Sequence, residues 1–299
     1  MSEDELKKLI DYNDEYESKL ALPNELFKQI QTMVSQGKLK PTHCGFVWSY
    51  VYFMTYLFRY CKWYYYQPTV SDVKKVLGYT TTNKTLDYII KKDGLLEQDN
   101  ILSTIEDFPA TYEYDDIDKT LNFTYVSELE GLDYFREQRN LSKRITCKYP
   151  VFAFDDNYGA TFYNSECTTI IEFNVFARCM CDKQLGVNAF YIYSWLKHMN
   201  DLHGDFKTTR RRLSNELNLS EGSLHKYLDV MRSYKMIDVI YNMDYFSKGW
   251  DEKDREASTY KVNPYEQFTY EKVTYSKLKF ISEQQHEELL KVNDIELFT

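Results

Sequence analysis

From residue 206 to 240 the chain reads FKTTRRRLSNELNLSEGSLHKYLDVMRSYKMIDVI. Its apolar positions fall into two short helical rhythms and then an extended run. Leu213 and Leu217 lie four apart, on one face of a first helix. Asn218 and Leu219 supply a turn. Ser220 is a good N-cap, and Glu221 suits the positive end of the next helix. Leu224, Leu228 and Met231 recur at i, i+4 and i+7, and Met236 and Ile237 open a β-rich run that ends at Tyr241. With these residues turned inward, Ser223, His225, Lys226, Asp229 and Arg232 face outward. The pattern predicts a helix-turn-helix with a β-wing, whose second helix suits a DNA major groove. Two amphipathic helices joined by a turn also occur in proteins that never touch DNA. The short turn, the small polar residues at the helix start, and Lys207, Arg210, Arg211 and Arg212 just before it favour the DNA reading.

A second copy of the pattern lies upstream. Residues 42–66 are the most apolar stretch, but Arg59 and Lys62 interrupt it. A membrane span needs about 20 apolar residues, so a buried helix is expected. Pro68 stops it. Val73, Val76 and Leu77 then mark a helix with Gly78 after it, and Thr80 or Thr81 caps a further helix carrying Leu86, Ile89 and Ile90 inward. Gly94, Leu95 and Leu96 open an extended segment, as Lys235, Met236 and Ile237 do later. The repeat leaves Thr81, Thr82, Asn83, Lys84 and Lys91 exposed. ILSTI and LNFTYV read as the strands of a long hairpin, with the acidic tract from Tyr112 to Asp116 in the loop between them.

These elements divide the chain into five parts: a polar helical N-terminal arm (1–41), a winged-helix domain with the acidic hairpin (42–126), a helical connector and small sheet (127–174), a second winged-helix domain (175–263) and an acidic C-terminal tail (264–299). The fold class is α+β, mostly α with small β wings. The connector carries Arg136, Arg139, Lys143, Arg144 and Lys148, best read as a solvated face. The second wing loop carries Lys248, Lys253 and Arg255 among four acids.

Net charge is −9, which taken whole argues against nucleic acid. Its distribution changes that. Eleven acids fall between Glu97 and Asp133 against Lys119 alone, so the remainder is close to neutral, and the stretch from Lys207 to Lys235 is locally basic. An acidic wing tip repels phosphates, so the first domain is not expected to grip DNA as the second does. That hairpin reads equally as a solvated loop or as a docking surface for a replication or transcription protein. The six cysteines form no C-x-x-C pair and read as reduced, mostly buried thiols, not a metal site. The acidic start MSEDELKKL is no signal peptide, and a cytoplasmic, non-membrane protein is expected. No Gly-rich phosphate loop and no nucleophile–base constellation stands out, so neither an enzyme nor a cofactor is expected.

The pair VLGYTTTNKTLDYIIKKDGLL and LSNELNLSEGSLHKYLDVMRSYKMI resembles tandem winged-helix replication initiators and replisome organisers of Gram-positive plasmids and phages. The resemblance covers about half the chain, and its motifs are shared with many transcription regulators. It implies two winged helices, binding to repeats of origin type in double-stranded DNA, and a dimer/monomer equilibrium. The chain departs from it in its acidic balance and its acidic first hairpin. A transcription regulator and a winged-helix protein-interaction scaffold are the alternatives. The expected DNA contacts are Lys207, Arg210, Arg211, Arg212, Ser220, Ser223, His225, Lys226, Arg232 and Lys248, with Thr81, Thr82, Asn83 and Lys84 from the first domain.

Overall fold

In the computed structural model, residues 1–115, 120–130, 146–154, 167–247 and 256–296 are described. Helices dominate and the strands form small two- and three-stranded sheets, an α+β architecture. The most apolar stretch forms α4 (Cys44–Arg59), preceded by α1 (Glu3–Leu9), α2 (Asp14–Glu17) and α3 (Glu25–Ser35). Every residue of α4 up to Phe58 is buried, as expected of a helix that is apolar on all faces. Its main partner in the core is α9 (Gly186–His203), which follows α8 (Phe173–Cys181).

The two helices meet beside an antiparallel pair, β1 (Lys19–Pro23) with β6 (Thr168–Glu172), centred on Ala21 opposite Ile170. From this pair the chain runs outward in the same order twice: β1, α3 and α4, then β6, α8 and α9. This shared order lies upstream of the two segments in which the sequence suggests a repeat. It also corrects the first boundary. Residues 1–41 are not a polar arm, because Leu6, Ile10, Leu22, Leu26, Phe27, Ile30 and Met33 are all in the core. Glu17 and Lys62 form a buried ion pair at 2.7 Å there, and the Lys62 ammonium also donates to the Asp11 carbonyl at 2.5 Å.

The first half departs from expectation in three places. After α5 (Val70–Val76), the expected second helix shrinks to α6 (Asp87–Ile90), and residues 81–84 lie in the turn before it. Asn83 accepts hydrogen bonds from the Thr85 N–H and hydroxyl. The buried Lys74 ammonium donates to the Asn83 carbonyl and to Asp87, each at 2.5 Å. Such local polar bonding competes with helix formation. Next, Leu95–Gln98 is a helical turn, α7, where a strand was expected. Finally, ILSTI does not pair with LNFTYV. β2 (Leu102–Ile105) pairs with β5 (Cys147–Pro150), while β3 (Pro109–Asp115) pairs with β4 (Thr120–Tyr125). The Glu97 carboxylate holds the first pair, accepting from Lys148 at 2.7 Å and from the Thr104 hydroxyl. Lys148 is thus engaged in an ion pair, not on a solvated face. In the second pair Tyr112 sits opposite Phe123, whose ring meets Phe58, so part of the acidic tract is strand. Asp116, Asp118 and Lys119, like Arg136, Arg139, Lys143 and Arg144, lie outside the described residues.

In the second half, α9 is followed by β7 (Phe206–Thr208), α10 (Arg210–Leu217), α11 (Glu221–Ser233), β8 (Ile237–Ile240), β9 (Tyr245–Ser247) and β10 (Ser258–Val262). β10 lies between β7 and β8, antiparallel to both. The C-terminal segment is anchored: Thr269 and Val273 donate backbone hydrogen bonds to Tyr234 and Ser233. β11 (Lys279–Ile281) then pairs parallel with β9, and α12 (Glu283–Glu296) follows. Among the described residues, no helix is long and apolar enough to cross a membrane.

Candidate nucleic-acid interface

Local capping sets the geometry of α10 and α11. Thr209 accepts the Arg212 N–H at 3.2 Å to start α10, and Asn218, at φ 54°, ends it in the left-handed conformation that Asn tolerates. Ser220 accepts the Ser223 N–H at 3.2 Å and starts α11 two residues later. Leu213, Leu217, Leu224, Leu228 and Met231 are buried as the spacing requires.

This leaves one exposed polar surface. Lys207 on β7, Arg210, Arg211 and Arg212 on α10, and Ser223, His225 and Lys226 on the first turns of α11 are all exposed. Arg212 pairs along its own helix with Glu216 at 2.8 Å, and Arg210 lines the same groove as Tyr260 on β10. A groove of about 560 Å³ runs between the start of α10, the face of α11, the wing strands and the C-terminal segment. Arg210, Arg211, His225, Tyr241, Tyr260 and Lys277 are among its lining residues. Acids share it: Asp229 lies 3.6 Å from the His225 imidazole and 4.0 Å from the Lys277 ammonium.

Several expected contacts change role. Arg232 does not face outward. It is 8% exposed, donates to the Tyr241 hydroxyl at 2.7 Å and to the Ser276 carbonyl at 2.6 Å, and lies over the Tyr275 ring. Helical spacing alone leaves Arg232 open; the returning C-terminal segment covers it. The Ser220 hydroxyl is committed to the cap and to Ser223, so it holds the helix in place. Thr81, Thr82, Asn83 and Lys84 sit in a turn, not at the start of a helix able to enter a groove. Lys248, Lys253 and Arg255 lie outside the described residues. Lys277, Tyr241 and Tyr260 were not singled out from the sequence. The alternation in Lys277, Leu278, Lys279 and Phe280 was the available strand signal for the first.

All six cysteines are free, and burial pushes Cys44 and Cys61 up to about 12, far from a reactive thiolate. Among the described residues, no group of three His, Cys, Asp or Glu side chains is arranged to hold a metal ion. Compared with protein-family models, curated proteins and solved structures, the chain matches none.

Proposed function

We propose that residues 186–262 form a winged helix that binds double-stranded DNA in a sequence-specific way. The observation that carries this reading is the joint placement of two features. One is the element order helix, strand, helix, turn, helix and then three strands, with β10 between β7 and β8. The other is the exposed set Lys207, Arg210, Arg211, Ser223, His225 and Lys226 around the helix after the turn. In this reading α11 enters the major groove and brings Ser223, His225 and Lys226 to base edges, while the arginines of α10 meet phosphates.

The first half, with α4, α5, α6 and the β2–β5 pair, is in this reading a counterpart winged helix without a groove-reading helix, since α6 is a single turn. Its part is to support the second half through the α4–α9 contact. Within this reading the protein acts as a replication initiator or replisome organiser, as the family resemblance implies. Mapping bound sites across the genome tests that step. Clustered direct repeats beside an origin support initiation, and isolated promoter sites favour a transcription regulator. Failure to shift any duplex at low salt would leave the scaffold reading.

A further inference from the structure

The C-terminal segment lies against the face of α11 that the proposed reading brings toward DNA. Lys277 reaches Asp229, while the Ser276 carbonyl and the Tyr275 ring hold Arg232. Two side chains of α11 that spacing leaves outward thus become the anchor of this segment. Beyond them β11 pairs in parallel with the wing strand β9, Phe280 opposite Phe246. Phe280 lies 5.8 Å from Phe246, and Ile281 is buried. The segment therefore supplies one wall of the groove that Arg210, Arg211 and His225 line.

We propose that Tyr275–Ile281 is a working part of the nucleic-acid surface: it joins the wing through β9 and supplies Lys277 as an additional phosphate contact. The proposal rests on the DNA-binding reading above. The Lys277 side chain is 71% exposed and its contact with Asp229 is a loose 4.0 Å. An ion pair that exposed contributes little, so the ammonium readily exchanges a carboxylate for a phosphate. Lys279, also exposed on β11, places a second positive charge alongside.

The test uses the full chain and duplexes of specific and scrambled sequence, with isotherms at several salt concentrations. Lys277→Ala should weaken both duplexes alike by about three- to tenfold at low salt and lower the salt slope by about one, and Lys277→Arg should restore both. Arg211→Ala is run beside it. If Arg211→Ala weakens binding and Lys277→Ala does not, the inference is overturned while the DNA reading stands. If neither changes binding, both fall. Hydrogen exchange gives a second readout, since duplex should protect Tyr275–Ile281 together with α11; protection of α11 alone would overturn the proposal.

Discussion

Gly45 in α4 lies against Asn188 in α9 so closely that a Cβ on it would stand 2.4 Å from the Asn188 Oδ1 and 3.0 Å from the Val187 carbonyl. Inside a helix glycine ordinarily costs about 0.5–1 kcal/mol relative to alanine. Here it admits the close approach of the two central helices. Gly45→Ala should destabilise the protein by about 1–3 kcal/mol, because the backbone at Val187 cannot swing aside. Asn188→Ala in the same chain should recover only part of that, since it also removes the hydrogen bond to the Tyr227 hydroxyl on α11. A thermal-melt double-mutant cycle measures the coupling, and a Gly45→Ala protein at least as stable as wild type would contradict the account.

Positioning and reading should separate in the proposed interface. Arg211→Ala is expected to weaken all duplexes alike and lower the salt slope by about one. Lys226→Ala is expected to cost about 1–3 kcal/mol at the preferred site and to relax choice at one base position. Equal losses for both variants on specific and scrambled duplexes would remove α11 from the role of reader.

Ser220 acts through the helix it starts. Ser220→Ala should cost about 0.5–2 kcal/mol of stability, while Ser220→Asn, another good N-cap, should keep it. Chemical denaturation of the two variants decides this; equal losses would show that the hydrogen bond to Ser223 does not hold α11.

The Lys62–Glu17 pair is buried, so breaking it leaves a charge without a partner. Glu17→Ala should cost about 3–5 kcal/mol, and replacing both residues by apolar side chains of similar volume should cost far less. Denaturant midpoints of the single and double variants report the difference, and similar midpoints would argue that Lys62 finds enough compensation in the Asp11 carbonyl.

Stability should fall on mild acidification. Burial holds the His198 imidazole below its ordinary value of about 6.5; its ring stacks on Phe27 and Nδ1 has no hydrogen-bond partner. Asp201 opposes the shift, whereas His203 and Lys28 reinforce it. The unfolded chain takes up this proton more readily than the folded one. The stability from a neutral His198 is therefore complete above the ordinary imidazole range and is lost as pH falls through it toward the folded value. His43, lowered by burial as well, adds a loss of the same sign. Melting profiles of wild type and His198→Gln from pH 8 to 5.5 should converge on the acidic side, and parallel profiles would exclude His198 as a source.

Much of the second half is local information. Leu213, Leu217, Leu224, Leu228 and Met231 define two buried faces by spacing alone, and Ser220 marks a boundary that the backbone obeys, because helix periodicity and capping act within a few residues. The exposure of Arg210, Arg211, His225 and Lys226 follows from the same period. Other features depend on partners distant in the chain. The spacing of ILSTI and LNFTYV gives two strands but not their mates. Pairing β2 with β5 depends on Lys148 reaching Glu97, 51 residues away. The fate of Arg232 is of the same kind: its place on α11 is set by sequence, and its burial by Tyr275 and Ser276 returning across that helix. Side-chain period fixes the direction in which a residue points from its own element; only the packed chain determines what stands there to meet it.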